Sequence, residues 1–241
     1  MAFKRFVLPD GTPITVYKRK ASRGLRLTVT PEGEARVSIP RWTAYAIGLK
    51  FAASRAEWIK SQKRPPVDLI GGQRIGKAHR LRFVSRPGAS RVASRVGSSE
   101  VIVTIPDGQS IEAQSVQEAA RRAAIRALRM EAEALLPQRL AALADRHGFS
   151  YQKVTIKQMK SRWGSCDNHR NIVLNLFLVQ LPWEQIDYVL LHELTHTEVL
   201  RHGPDFWQAM EKVLPDVKRL RRAVRGARPQ VYDPVQDQAV A

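Results

Sequence analysis

The sequence predicts an α+β fold, with a strand-rich first part followed by a helix-led second part. Three observations carry this. Residues 12–40 alternate polar and apolar positions, as half-buried strands do. Residues 43–62 switch to helical spacing through Ile47, Phe51, Ala52, Trp58 and Ile59. From Ser115 onward a long Ala/Leu/Arg-rich stretch keeps the helical period.

Taken in order, Thr12–Tyr17, Gly24–Thr30 and Ala35–Ile39 read as strands, with turns at Asp10-Gly11 and Pro31-Glu32-Gly33. The helix over 43–62 should close at Pro65-Pro66. Arg80–Val84 and Glu100–Ile105 return to strands, punctuated by Gly71-Gly72 and Pro106-Asp107-Gly108. Ser115 followed by Glu118 has the spacing of a capping box, opening a helix that runs to His147 and stops at Gly148. Pro137 inside it predicts a kink or break. Residues 151–158 and 171–179 read as strands, joined by the connection Arg162–Asp167. Pro182 suits a first helical position, with a helix from Trp183 to about Leu200. Gly203-Pro204 stops it, and Pro204 can open another helix through Leu214. These textures divide the chain into a strand-rich basic region (1–112), a helix-led core (113–226) and a loose tail (227–241).

The chain has 241 residues, 44% of them hydrophobic, which excludes wholesale disorder. No apolar run approaches the ~20 residues of a membrane span, and the first residues lack the apolar core of a signal peptide. A single Cys excludes an intramolecular disulfide framework and any Cys-only zinc site. A reducing, cytoplasmic setting without membrane attachment is the expectation. The formal charge is +18, from 40 Lys+Arg against 22 Asp+Glu. Residues 1–100 hold 21 basic and 6 acidic residues, so the first part carries most of the excess. That field can attract nucleic acid or nucleotides, or it can simply serve solubility.

His192-Glu193-Leu194-Thr195-His196 is an HExxH motif. On a helix, residues i and i+4 share a face, so both histidines can hold one metal ion. Imidazole suits zinc at ~2.0–2.1 Å, and a catalytic zinc takes three protein ligands and leaves one position open. Glu193, beside the first ligand, is the candidate general base. His202 is the candidate third ligand. On a straight helix it would lie ~15 Å along the axis from His192 and face away, so the chain must turn after about Leu200. Glu198 is the fallback ligand. His79, His147 and His169 lack ligand spacing and read as surface or capping histidines.

Other residues have two readings each. Trp163 either shapes a pocket beside the metal or packs, and packing is favoured. Arg162 either binds an anionic group or oxyanion of the substrate or pairs with Asp187. Cys166 as a fourth ligand would close the site, so a buried thiol is favoured. Residues 171–178 read as an edge strand that could receive an extended peptide, with Asn175 orienting it. Phe206 and Trp207 either cover the site or lie in the core, and the run Lys218–Arg222 either touches phosphates or is a solvated helix face, the solvated face being the default.

The ordered string Arg162-Trp163-Gly164-Ser165-Cys166, Leu174-Asn175, Asp187-Tyr188-Val189, His192–His196, then His202 with Phe206-Trp207, resembles the YgjP-like metallopeptidase family. That family is a branch of the zincins related to SprT-type proteases. The strands of the first half and the Trp58-Ile59 helix end resemble its leading region. The resemblance implies a minimal zincin-like core behind a mostly β region. It also implies zinc on His192, His196 and His202, with Glu193 as base. Thr195 and Gly203 depart mildly from the family pattern, and neither change removes a ligand.

The reading that follows is a zinc-dependent metallohydrolase, foremost a metallopeptidase. Glu193 would serve as base to a zinc-activated water, with Arg162 and Asn175 as candidate substrate-binding residues and a protein or peptide as substrate. One alternative is a zinc-dependent nucleotide phosphoanhydride hydrolase, although no Gly-rich phosphate loop is present. The other is a nucleic-acid-associated protein whose zinc is structural.

Overall fold

The computed structural model describes residues 2–19, 22, 24–29, 34–62 and 68–227. The turn at 31–33, the Pro65-Pro66 stop and the tail beyond Ala227 lie outside these residues. The chain forms two compact units, Met1–Val67 and Asp68–Ala241.

The first unit holds strands β1 (Phe3–Val7), β2 (Pro13–Arg19), β3 (Arg26–Val29) and β4 (Ala35–Pro40), in the order β1-β2-β4-β3. β2 and β4 run parallel; the other pairs are antiparallel. Helices α1 (Tyr45–Ala53) and α2 (Ala56–Gln62) follow. The alternation read from the sequence is the inward face: Ile14, Val16, Ala35, Val37 and Ile39 are buried together with Ala52 and Ile59. α1 comes so close to β2 and β4 that a Cβ on Gly48 would stand 2.8 Å from Val16 Cγ1. The single helix expected over 43–62 is two helices. Ser54 ends α1, its hydroxyl donating to the Phe51 carbonyl at 2.9 Å. β1 lacks a buried alternation and so gave no strand signal; it exists by pairing with β2 through the Asp10-Gly11 turn.

The second unit opens with β5 (Arg80–Ser85), β6 (Ala93–Val96) and β7 (Glu100–Ile105), ordered β5-β7-β6. α3 (Gln114–His147) shares one core with this sheet, through Leu81, Val101 and Val103 against Val116, Ala120, Ala127 and Leu128. The packing therefore divides at residue 67, whereas the texture of the sequence changes near 112. β5–β7 look like the first unit but bury their apolar face with α3.

α3 begins one residue before Ser115, and the Ser115 hydroxyl contacts Gln109, so no capping box forms. The helix runs unbroken through Pro137. The carbonyl that Pro137 leaves unbonded belongs to exposed Glu133, where water can take it. Gly148 ends it in the left-handed conformation at φ 74°, as expected. His79 is neither a surface nor a capping residue. It is 4% exposed, with Nδ1 2.6 Å from Glu131 Oε1 and Nε2 3.0 Å from the Gly97 carbonyl.

The remaining elements are β8 (Lys153–Lys157), β9 (Gly164–Cys166), β10 (Asn171–Asn175), a 3-10 turn (Leu176–Gln180), α4 (Trp183–Thr195), α5 (Pro204–Val213) and α6 (Val217–Gly226). The sheet order is β8-β10-β9, so the strand read from 171 onward is the central one and not an edge. It also stops at Asn175, whose side chain caps the 3-10 turn by accepting from Phe177 N–H. β9, which lay unread inside a connection, is an edge strand.

Candidate metal centre

α4 buries Ile186, Val189, Leu190 and Leu194 and turns His192 and His196 to one side, their ring centroids 4.8 Å apart. The helix ends at Thr195, five residues before the predicted stop, and His196 is its C-cap. The Thr197 hydroxyl donates to the Leu194 carbonyl at 2.7 Å, which turns the chain at this point. Gly203 is extended, and Pro204 opens α5. Between them His202 returns to the site. Its Nε2 lies 3.1 Å from His196 Nε2 and 2.9 Å from His192 Nε2. The ligand atoms of all three histidines lie within 4.8 Å of one another. Glu198, the fallback, is exposed and outside this group.

The rings have defined surroundings and charge states. His196 Nδ1 lies 3.0 Å from the Val199 carbonyl, which can only accept, so Nδ1 carries the proton and Nε2 presents a lone pair. Burial, reinforced by the charges of His196, His202 and Arg221, pushes His192 down to about 3. Burial likewise holds His196 and His202 below the usual imidazole range. Three neutral imidazoles thus point their Nε2 atoms at one another. A single proton cannot satisfy them all; a shared cation can. His192 Nδ1 is buried with no hydrogen-bond partner. Phe206, fully buried, forms the floor, its ring centroid 4.5–4.8 Å from each of the three His rings. Trp207 stacks on His202 at 5.9 Å and 28°.

Glu193 is 5% exposed. Burial raises its pKa to about 8, and the charge of Arg162 opposes the rise. β9 lies directly against it, since a Cβ built on Gly164 would fall 2.5 Å from Glu193 Oε1.

Arg162 is exposed and does not pair with Asp187. Asp187 is held by Arg139 through two bonds of 2.7 and 2.6 Å. Asn175 is 0% exposed and offers a substrate no surface. Its Nδ2 donates to the Met159 and Arg162 carbonyls, each at 2.8 Å, so it shapes the loop that carries Arg162. Trp163 packs against the core and donates to the Val224 carbonyl at 3.3 Å. Cys166 is outside the ligand group; burial and the charges of Glu193 and Asp167 push its thiol up to about 11.

Sequence reasoning named three neighbours of the site without placing them there. Tyr188, four residues before His192 and therefore on its face, has its ring 5.9 Å away; the spacing alone could have found it. Gly164 and Arg221, whose guanidinium carbon stands 4.0 Å from the Trp207 ring centroid, lie in strings the sequence singles out, but their place beside the site depends on tertiary contacts.

A family model described as "YgjP-like, metallopeptidase domain" matches residues 23–226. Among solved structures, the crystal structure of the metallopeptidase zymogen of Pyrococcus abyssi abylysin is similar at 26% identity. It covers 37% of this chain and 91% of that one, with a TM-score of 0.34. No curated protein matches the chain.

Proposed function

The chain belongs to the YgjP-like metallopeptidase family, and from that premise we propose that it is a zinc-dependent peptidase, cytoplasmic, acting on extended protein or peptide segments. One observation carries the reading: three neutral imidazole Nε2 atoms converge within 4.8 Å, next to a buried carboxyl group. His192, His196 and His202 would hold the ion, and the all-nitrogen donor set suits zinc. Zinc bound there supplies a Lewis acid that acidifies water and polarises a carbonyl.

Glu193 takes a proton from the attacking water and delivers it to the leaving amine. Burial raises its pKa, and the positive charge of a bound ion would oppose that rise. Gly164 leaves the carboxylate its room, and Arg162 adds positive charge where negative charge develops. The free edge of β9, beside Glu193, can pair with an extended peptide through backbone hydrogen bonds.

The reading is tested by metal content. Wild type should bind one zinc per chain, and His192→Ala, His196→Ala and His202→Ala should each weaken binding by at least about tenfold. Full affinity in His202→Ala would remove the third ligand and the reading with it.

A second partner rests on a separate observation. The sheet face opposite α1 carries Arg5, Arg19, Arg26 and Arg36 beside the ring pair Phe3–Tyr17, whose centroids are 5.6 Å apart. Cations beside exposed Phe3 and half-buried Tyr17 suit single-stranded nucleic acid, although Arg36 is already paired with Glu34 at 2.6 Å. Binding that falls steeply with salt and weakens in Tyr17→Ala would support it; binding unchanged in that variant would dismiss it.

A further inference from the structure

Three arginines on the segments around the histidines have no acidic partner among the described residues. On α6, Arg219 is paired with Glu184 at 3.0 Å and with Asp216 at 3.3 Å, and Lys218 with Glu211 at 3.5 Å. Arg221 and Arg225, one turn apart on the same helix, form no ion pair among the described residues. Arg221 is ordered by Trp207, the ring that stacks on His202. Val224, the residue before Arg225, accepts from Trp163 Nε1 at 3.3 Å, which ties this stretch of α6 to the segment that leads into β9.

The third is Arg162. The Asn175 side chain fixes its backbone carbonyl, and the next residue, Trp163, is tied to Val224, between Arg221 and Arg225 in sequence. Arg162 also has no carboxylate partner among the described residues, and Gly164, two residues on, lies against the Glu193 side chain. Three cations on the segments around one reaction centre, with no ion pair among the described residues, leave a local field that a ligand's negative charge would relieve.

We propose that Arg162, Arg221 and Arg225 form a specificity rim that selects peptides carrying Asp or Glu beside the scissile bond. This inference rests on the peptidase reading. Carboxylates and phosphates share the chemistry that such a rim recognises. The peptide is favoured because β9 offers an extended chain a free edge and no Gly-rich phosphate loop is present.

The test uses the zinc-loaded full chain carrying Glu193→Gln, so that peptides stay intact. Two fluorescein-labelled peptides differ only in having Glu or Gln flanks, and anisotropy reads their affinities. The Glu peptide should bind about tenfold tighter at low salt, as expected for several exposed ion pairs. The gap should close near ~0.5 M salt. Adding Arg162→Gln, Arg221→Gln or Arg225→Gln should each reduce it about threefold. Arg221→Lys should preserve it, and Arg221→Glu should shift preference toward a Lys-flanked peptide. Arg222→Gln, on an exposed α6 residue without a contact to the site's rings, should leave it unchanged.

Equal binding of the two peptides, binding of neither, or a preference that survives all three Arg→Gln changes would overturn the proposal. So would ATP displacing the Glu peptide at concentrations below the peptide's own dissociation constant, which would assign the rim to phosphate. Wild type should show the same ranking in kcat/KM, mostly through KM. A binding preference without cleavage by wild type would keep the rim and reject the peptidase reading. Cleavage of both peptides alike, with equal binding, would do the reverse.

Discussion

A methyl group at Gly164 would fall 2.5 Å from Glu193 Oε1, and the contact is with a buried carboxylate that has little room to retreat. Gly164→Ala should therefore displace the proposed base and lower kcat/KM by about a hundredfold or more, the scale of a general-base contribution. Zinc content should be unchanged, because the three imidazole Nε2 atoms are held by other residues; assays of turnover and metal on the same preparation read both. Cys166 gives a pH prediction of its own. Its thiol is pushed up to about 11, first by burial and then by Glu193 and Asp167, so the neutral form persists to higher pH than in an ordinary cysteine. At pH 8 such a thiol is about 0.1% thiolate, against roughly a quarter for one titrating near ~8.5. Alkylation by iodoacetamide at pH 8 should be more than about tenfold slower than for a model thiol, and should climb steeply above pH 9. A rate like that of the model thiol would show an open, unburied group.

Among the elements, the strongly periodic ones were the legible ones. α3 and α4, the burial alternation of β7 and the Gly148 stop all follow from local pattern. What escaped was decided by partners distant in sequence. β1, β6 and β9 are short and become strands only by pairing with β2, β7 and β10. The early end of α4 escaped because Thr197 bonds back to the Leu194 carbonyl, a local competition that apolar periodicity does not register. The consequence matters for function, since it lets His202 come back to the HExxH pair. Pro137 is the element-scale test. It leaves one helical carbonyl without its donor, so Pro137→Ala should restore the bond and raise unfolding stability by about 1 kcal/mol, after allowing for the freer unfolded chain. A lower melting temperature in that variant would show that packing of the proline ring outweighs the missing hydrogen bond.

For the whole molecule, charge and texture were read correctly as quantities but not as boundaries. The first unit has 14 basic residues against 4 acidic, yet β5–β7 belong with α3 and the second unit, where composition alone did not put them. The histidine cluster was legible because HExxH sets two histidines one helical turn apart with a glutamate beside the first, and a Gly-Pro stop after His202 explains a chain reversal. The arginines around them were not, because Arg162 and Arg221 lie some sixty residues apart and meet the site only through β9 and α6. The account rests on three histidines that hold zinc and one glutamate that moves a proton, and these roles separate in a single experiment. Zinc-loaded wild type and Glu193→Gln are incubated with an unfolded protein, with bound zinc measured in both. The account predicts one zinc per chain in each and cleavage by the wild type alone. Equal cleavage by Glu193→Gln with zinc retained would contradict it.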